Sequence, residues 1–225
     1  MSLRPARILY PERGSVQETA PAVEPVTAAE LRTSLVIEAA QLPDAEADDL
    51  IEIARAYIEE TLGIAMISQN WRLSLNRWPG GTDAWWDGTR QMAISELRNG
   101  RGIVALPIYP LQSVDTVTVY DEASNATVVT IASTFDIDTY QKPGRLALQD
   151  GATWPVALRS INAIQIEYTA GYGDAATDVP APLKRAVLQM ASYLYEHRGD
   201  GCAPGDAFTD SGAAGMAGRY KLARI

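Results

Sequence analysis

No stretch limits the folding choices of this chain more than Asn162 to Gly199, which writes out a strand, a glycine turn, a proline-opened helix and a helix stop in that order. Ile164, Ile166 and Tyr168 alternate with polar neighbours, the period-two pattern of a half-buried strand. Gly171 and Gly173 flank Tyr172 and end that strand, because glycine accepts the backbone angles of a tight turn. Asp178 is placed to cap a helix, and Pro180 and Pro182 suit a first turn that needs no amide donors. Leu183, Ala186, Val187, Met190, Ala191, Leu194 and Tyr195 then recur at spacings of three and four. They form one apolar stripe along a helix that Gly199 stops.

Upstream, residues 1–26 carry Pro5, Pro11, Pro21 and Pro25 with little periodicity and read as an extended arm, of a kind that packs on a neighbouring subunit. Thr27 and Glu30 have capping-box spacing at the start of a first helix, whose apolar face is Leu31, Leu35 and Val36. A second helix runs from Asp44 to Leu62 with Gly63 as its stop, and Leu50, Ile51, Ala54, Tyr57, Ile58 and Leu62 form its stripe. Acids crowd its start, where the helix dipole favours negative charge. From Glu38 to Glu60 eight acids meet one base, Arg55. No histidine or closed pocket accompanies them, so they read as a solvated helix face rather than a metal or acid–base site.

The middle of the chain is β-rich. Trp71, Leu73 and Leu75 alternate as one strand. Residues 77–102 are a long irregular insert in which Trp78, Trp85 and Trp86 are expected to make a protein contact or a satellite apolar cluster, ahead of stacking on nucleic-acid bases, for which no basic groove is apparent. Ile103 to Leu106 leads to Pro107 and Pro110, which donate no ladder bonds and mark a crossing between sheets. Val114, Val117 and Val119, followed by Val128, Val129 and Ile131, predict a hairpin about Asp121–Asn125. Phe135, Ile137 and Tyr140 predict another strand, Gly144–Leu148 a short one, and the last begins at Ile161. The expected fold is α+β. A small helical bundle (27–66 and 178–199) carries an inserted antiparallel β-sandwich or barrel-like domain (67–177), with an extended N-terminal arm and a C-terminal tail.

Beyond the last helix, residues 199–218 hold six glycines and read as a flexible linker within a 200–225 tail. Arg219, Lys221 and Arg224 then interleave with Tyr220, Leu222 and Ile225, with no acids among them. A basic, strand-like end on an acidic chain suggests a tether that adds to another protein's sheet edge.

Composition removes whole classes of function. The formal net charge of −9 argues against a protein that grips nucleic acid, since that affinity comes from Lys and Arg neutralising phosphates. It leaves room for a wall past which DNA slides. The single Cys202 and single His197 leave no intramolecular disulfide, no cysteine-based metal site and no two-histidine metal site. Met1–Gly14 carries Arg4, Arg7 and Arg13 without an apolar run, so no signal peptide is expected, and no stretch approaches the length of a membrane span. There is no GxSxG elbow and no phosphate loop, and Gly171-Tyr172-Gly173 is too short for a dinucleotide fingerprint. No enzymatic activity, cofactor or metal is expected.

Three segments carry a resemblance: PVTAAELRTSL, then DDLIEIARAYIEETLGIAMISQNWRL, then IVALPIYPLQSVDTVTVYDEASNATVV, closed by YTAGYG, VPAPLKRAV and a helix ending YEHRG. In order and spacing they resemble the head–tail connector (adaptor) proteins of long-tailed bacteriophages and gene transfer agents. The resemblance implies a virion protein of the particle neck, assembled in the host cytoplasm. It implies a homo-oligomeric ring of twelve copies under a portal protein, with a head-closure, stopper or tail protein on the other face and DNA passing through unbound. It makes Arg219, Tyr220, Lys221, Leu222, Arg224 and Ile225 the portal-docking tail. Asp48, Asp49, Glu52 and Glu59 would be the channel-facing acids. The insert 77–102 and the linker 199–218 depart from the family pattern, so Trp78, Trp85 and Trp86 inherit no role. The rival expectation is a small-ligand or carbohydrate-binding β module using exposed tryptophans.

Overall fold

The computed structural model describes residues 13–78, 103–153, 158–199 and 204–221. Its elements in chain order are β1 (Arg13–Thr19), α1 (Ala28–Leu35), α2 (Asp44–Leu62), β2 (Gln69–Leu75), β3 (Ile103–Ala105), β4 (Leu111–Tyr120), β5 (Ala126–Val128) and α3 (Ile131–Thr134). There follow β6 (Phe135–Asp138), β7 (Arg145–Leu148), β8 (Ile164–Ala170), α4 (Ala181–Glu196), α5 (Pro204–Asp210) and α6 (Ala213–Ala217). The fold is α+β, with antiparallel sheets and a helical bundle.

Local signals set the helix ends. Thr27 Oγ1 accepts the Glu30 amide at 3.2 Å while the Glu30 carboxylate accepts the Thr27 amide at 2.7 Å, the reciprocal capping box that opens α1. Gly63 closes α2 with φ +72°, a left-handed turn that favours glycine. Asp178 does not cap α4. It sits in a 3-10 turn over Ala176–Asp178 and accepts the Ala175 amide at 3.1 Å, and Pro180 takes the cap position instead.

The strands build two sheets. Among the described residues one has the order β1-β2-β8-β4-β5, the other β3-β7-β6, and every strand is paired antiparallel. In β8 each alternate residue, Ile164 through Ala170, is buried. Strand β4 reaches the same result with uneven spacing. Bulges between Leu111 and Ser113 and between Val114 and Thr116 keep Leu111, Val114, Val117 and Val119 on the inner face. Those residues meet Val104, Phe135, Leu146 and Leu148 of the second sheet in one sandwich core. The hairpin stops sooner than its β-branched sequence predicts: strand β5 ends at Val128, the Val129 amide adds one last bond to the Val117 carbonyl at 2.8 Å, and at Ile131 the chain turns into α3.

A second core lies among the helices, where α4 packs on α1 and α2 through Leu183, Ala186, Val187, Met190 and Ala191. The two cores join where backbones run side by side. Ala65 donates to the Tyr109 carbonyl at 3.0 Å, Ser68 to Gly173 at 2.9 Å and Gly171 to Pro110 at 2.9 Å.

Two regions differ from their expected packing. Residues 13–19 are extended, as the arm reading has it, but they pair along β2 as an edge strand of this chain's own sheet, and residues 1–12 of that arm lie outside the described residues. Residues 204–220 are not a flexible linker. Despite their glycines they fold into α5, α6 and a final 3-10 turn, because Ala207, Phe208, Ala213 and Ala217 are buried in the helical core.

Candidate functional site

The acidic face of α2 is the chemically densest surface that sequence reasoning singled out. Asp48, Asp49 and Glu52 are exposed as expected. Glu59 is buried, so it does not face the channel as the resemblance implied. Its side chain is inside, accepting from the Met66 amide at 2.6 Å, from Gln69 Nε2 at 3.0 Å and from Arg55 Nη1 at 2.8 Å. Arg55 turns its Nε to Glu24 at 2.7 Å, and Gln17 on β1 donates to Gln69 at 3.0 Å. One polar chain thus ties the amino-terminal strap, α2 and the sheet together. Burial is the largest influence on Glu59 and pushes its carboxyl up from the ordinary range, while the Met66 amide, Arg55 and Gln69 pull it back. Burial also pulls Arg55 down, but Glu24 and Glu59 more than offset that and hold its cation firmly. The signal for this network was in the sequence, since the one base of the segment stands four residues before Glu59.

Trp78 is likewise no surface contact. It is 7% exposed in the sandwich core, its ring centroid 5.8 Å from that of Phe135. That removes it from any interface and from the sugar-stacking role in the rival reading. Trp85 and Trp86 lie outside the described residues.

At the carboxyl end, Arg219 and Lys221 are exposed, while Tyr220 packs edge-on against Tyr172 with centroids 6.5 Å apart. Leu222, Arg224 and Ile225 lie outside the described residues. Phe208 meets the Tyr57 ring at 5.8 Å, so the tail region is anchored to α2 before its last basic residues emerge.

His197, the imidazole a hydrolase would need, ends α4. Its ring stacks on Tyr193 at 3.9 Å and its Nδ1 lies 2.9 Å from the Tyr193 carbonyl. Among the described residues no group of three His, Cys, Asp or Glu side chains could hold a metal ion, and no helix is long and apolar enough to cross a membrane. What the surface offers is contact faces: the outer side of α2, a shallow groove between α1 and α4, and the exposed end of the C-terminal segment.

No family model and no curated protein matches the chain. Among solved structures it is similar to a component of the neck of an empty gene transfer agent particle treated with C6 symmetry. The TM-score is 0.70 at 25% identity, over 94% of this chain and 97% of that one. It is also similar to a chain of the virion of a native gene transfer agent particle, with TM-score 0.68 and 24% identity over 94% of this chain and 96% of the other. A third likeness is to the neck of a native gene transfer agent particle treated with C12 symmetry, with TM-score 0.64 and 25% identity over 93% and 97%. The resemblance read from the sequence is therefore shown: over nearly its whole length this chain is similar to neck components of such particles.

Proposed function

We propose that the chain is a head–tail connector subunit, a structural piece of the neck of a tailed-phage-like or gene transfer agent particle. Copies of it form a ring under the portal, join the DNA-filled head to the tail and surround the DNA exit path. One observation carries this reading: the likeness to a neck component extends over 94% of this chain and 97% of the other. A likeness that complete leaves little of either chain for a different task. The reading assigns the protein shape and surface, with no bond-making of its own.

The charge fits the task. A net charge of −9 repels phosphate, so DNA can pass without binding. Within α2, Asp48 is turned about 140° around the helix from Ile53, and in this reading it stands on the channel side. Arg219, Tyr220 and Lys221, continued by Leu222, Arg224 and Ile225, meet the portal. A head-closure or tail protein takes the opposite face.

The test is the mass of the full chain by light scattering, alone and with purified portal ring, beside particles made by cells lacking the chain. A ring bound to the portal, and heads without attached tails when the chain is missing, are expected. Complete tailed particles assembled without the chain would overturn the reading. Asp48→Asn should raise DNA retention by the ring; unchanged retention would remove Asp48 from the channel.

A further inference from the structure

We infer that the outer ridge of α2 in one copy docks into the groove between α1 and α4 of the next copy around the ring. This rests on the ring reading above and adds which surfaces meet.

The ridge is a row at spacings of four, three and four: Asp49, Ile53, Ala56 and Glu60. All four are exposed, and Ile53 keeps 48% of its surface open. A helix face meant only for water or for passing DNA has no need of isoleucine at its centre. An apolar centre with a charged rim is the make-up of a protein contact. Among the described residues the rim has no partner of opposite charge to itself: Asp49 and Glu60 have no cation within ion-pair distance. Glu52, on the flank, is 4.0 Å from an Arg55 that Glu24 and Glu59 already hold.

The groove offers the complement. Ala29, Thr33 and Ser34 of α1 and Leu188 of α4 form its floor, with Arg185 at its side. Arg185 is exposed, Lys184 beside it is half-exposed, and among the described residues neither has a carboxylate within ion-pair distance. Glu30, the one acid in the groove, is tied to the Thr27 cap. Ser34 Oγ and Ser192 Oγ, 3.3 Å apart, close the far end.

The two surfaces lie on opposite sides of the bundle. Helices α1, α2 and α4 pack on one another as a triangle, so the α1/α4 groove is the side facing away from α2. The α2/α4 side is already covered by α5 and α6, through Phe208 on Tyr57 and through Ala213 and Ala217. A male and a female surface on opposite sides of one subunit make a head-to-tail contact. Such contacts close into a ring when each step adds a small rotation. The occupant of the groove is therefore a second copy of this chain.

The experiment uses particles from cells supplying the full-length chain as wild type, as Arg185→Glu, as Asp49→Lys with Glu60→Lys, or with all three substitutions. Each reversal sets like charges against each other across the contact and should lower the copies retained per particle by roughly tenfold. The triple variant restores them. A second arm places Ile53→Cys and Leu188→Cys together in a Cys202→Ser chain and treats particles with a short bis-maleimide. A ladder of covalent multimers of this chain is expected. Thermal melts matching wild type show that the exposed substitutions leave the fold intact. Wild-type copy numbers in every charge variant with no ladder would overturn the interface and leave the ring standing. A covalent product with a different neck protein would also overturn it, giving the ridge to that protein. Absence of the chain from wild-type particles would instead sink the ring reading itself.

Discussion

Arg55 and Glu59 stand one turn apart on α2 and meet at 2.8 Å, with only 5% and 8% of their surfaces open to water. The pair is the centre of the only described polar chain that spans strap, helix and sheet, so its loss should be felt in all three. Glu59→Ala leaves the Arg55 cation half-paired and the Met66 amide without its acceptor. Breaking a buried pair from one side costs about 3–5 kcal/mol. Urea unfolding should show that loss, whereas Asp48→Asn on the exposed side should stay within about 0.5 kcal/mol. The double variant Arg55→Met with Glu59→Met should cost less than the sum of its singles, since no ion is left stranded. A Glu59→Ala loss under about 1 kcal/mol would mean water reaches the site.

What the sequence made legible was what local chemistry decides. The Thr27–Glu30 box, the Gly63 stop and the Ile164–Tyr168 alternation need nothing from the rest of the chain to be read. Strand β1 is not legible because its support is the ladder and polar contacts such as Gln17 to Gln69: Gly14 to Thr19 are all exposed, so no apolar alternation marks them. The C-terminal helices were missed because glycines lower their intrinsic propensity, and tertiary burial of Ala207, Phe208, Ala213 and Ala217 overrides it. Glu59 was misplaced because an acid on an acidic helix looks solvated. Only the fold brings the Met66 amide and Gln69 to it.

The anchored tail leads to a second expectation. Phe208→Ala removes the ring that holds α5 to Tyr57, and burial of a phenylalanine at the core edge is worth up to about 3 kcal/mol. The effect should be local. Amide exchange across residues 205–220 should speed up while α2 and β8 stay protected. Uniform acceleration through the whole chain would show that the segment is integral to the helical core rather than docked on it.

Alkaline stability should report the buried tyrosines. Tyr168 is fully buried between β2 and β4, its hydroxyl beside Ser15 and the Ile108 backbone without hydrogen-bond geometry to either, and burial pushes its pKa up to about 12. In the unfolded chain a tyrosine ionises near 10. Between those values the folded state holds the proton and the unfolded state releases it, so stability falls as pH rises from about 10 to about 12 and is fully present below. The Tyr172 hydroxyl, raised to about 12 by burial and by Tyr109 and Tyr220, adds in the same direction. Tyr168→Phe should flatten the fall, by roughly 2–3 kcal/mol at its upper end. An identical slope in the variant would assign the loss elsewhere.

Gly171 gives the sharpest test of how the two cores are joined. It sits at φ +146°, directly after β8, where its amide donates to Pro110 and the Ile67–Ser68 backbone crosses against it. A Cβ built there would lie 2.6 Å from the Ser68 nitrogen and 2.7 Å from the Ile67 carbonyl oxygen. Those are backbone atoms and cannot swing aside as a flexible side chain could. Gly171→Ala therefore meets both a forbidden φ and a clash, each costing at least about 1–3 kcal/mol, and should drop the melting temperature by ten degrees or more on the order expected for a domain of this size. Gly151, also at positive φ but with open space around its Cβ position, is the control: Gly151→Ala carries the backbone cost alone. If the two variants melt together, the close approach of β8 to the Ile67–Ser68 backbone is not what locks sheet to bundle. If Gly171→Ala alone collapses, the turn after β8 is the joint through which any force on the sandwich reaches the helices.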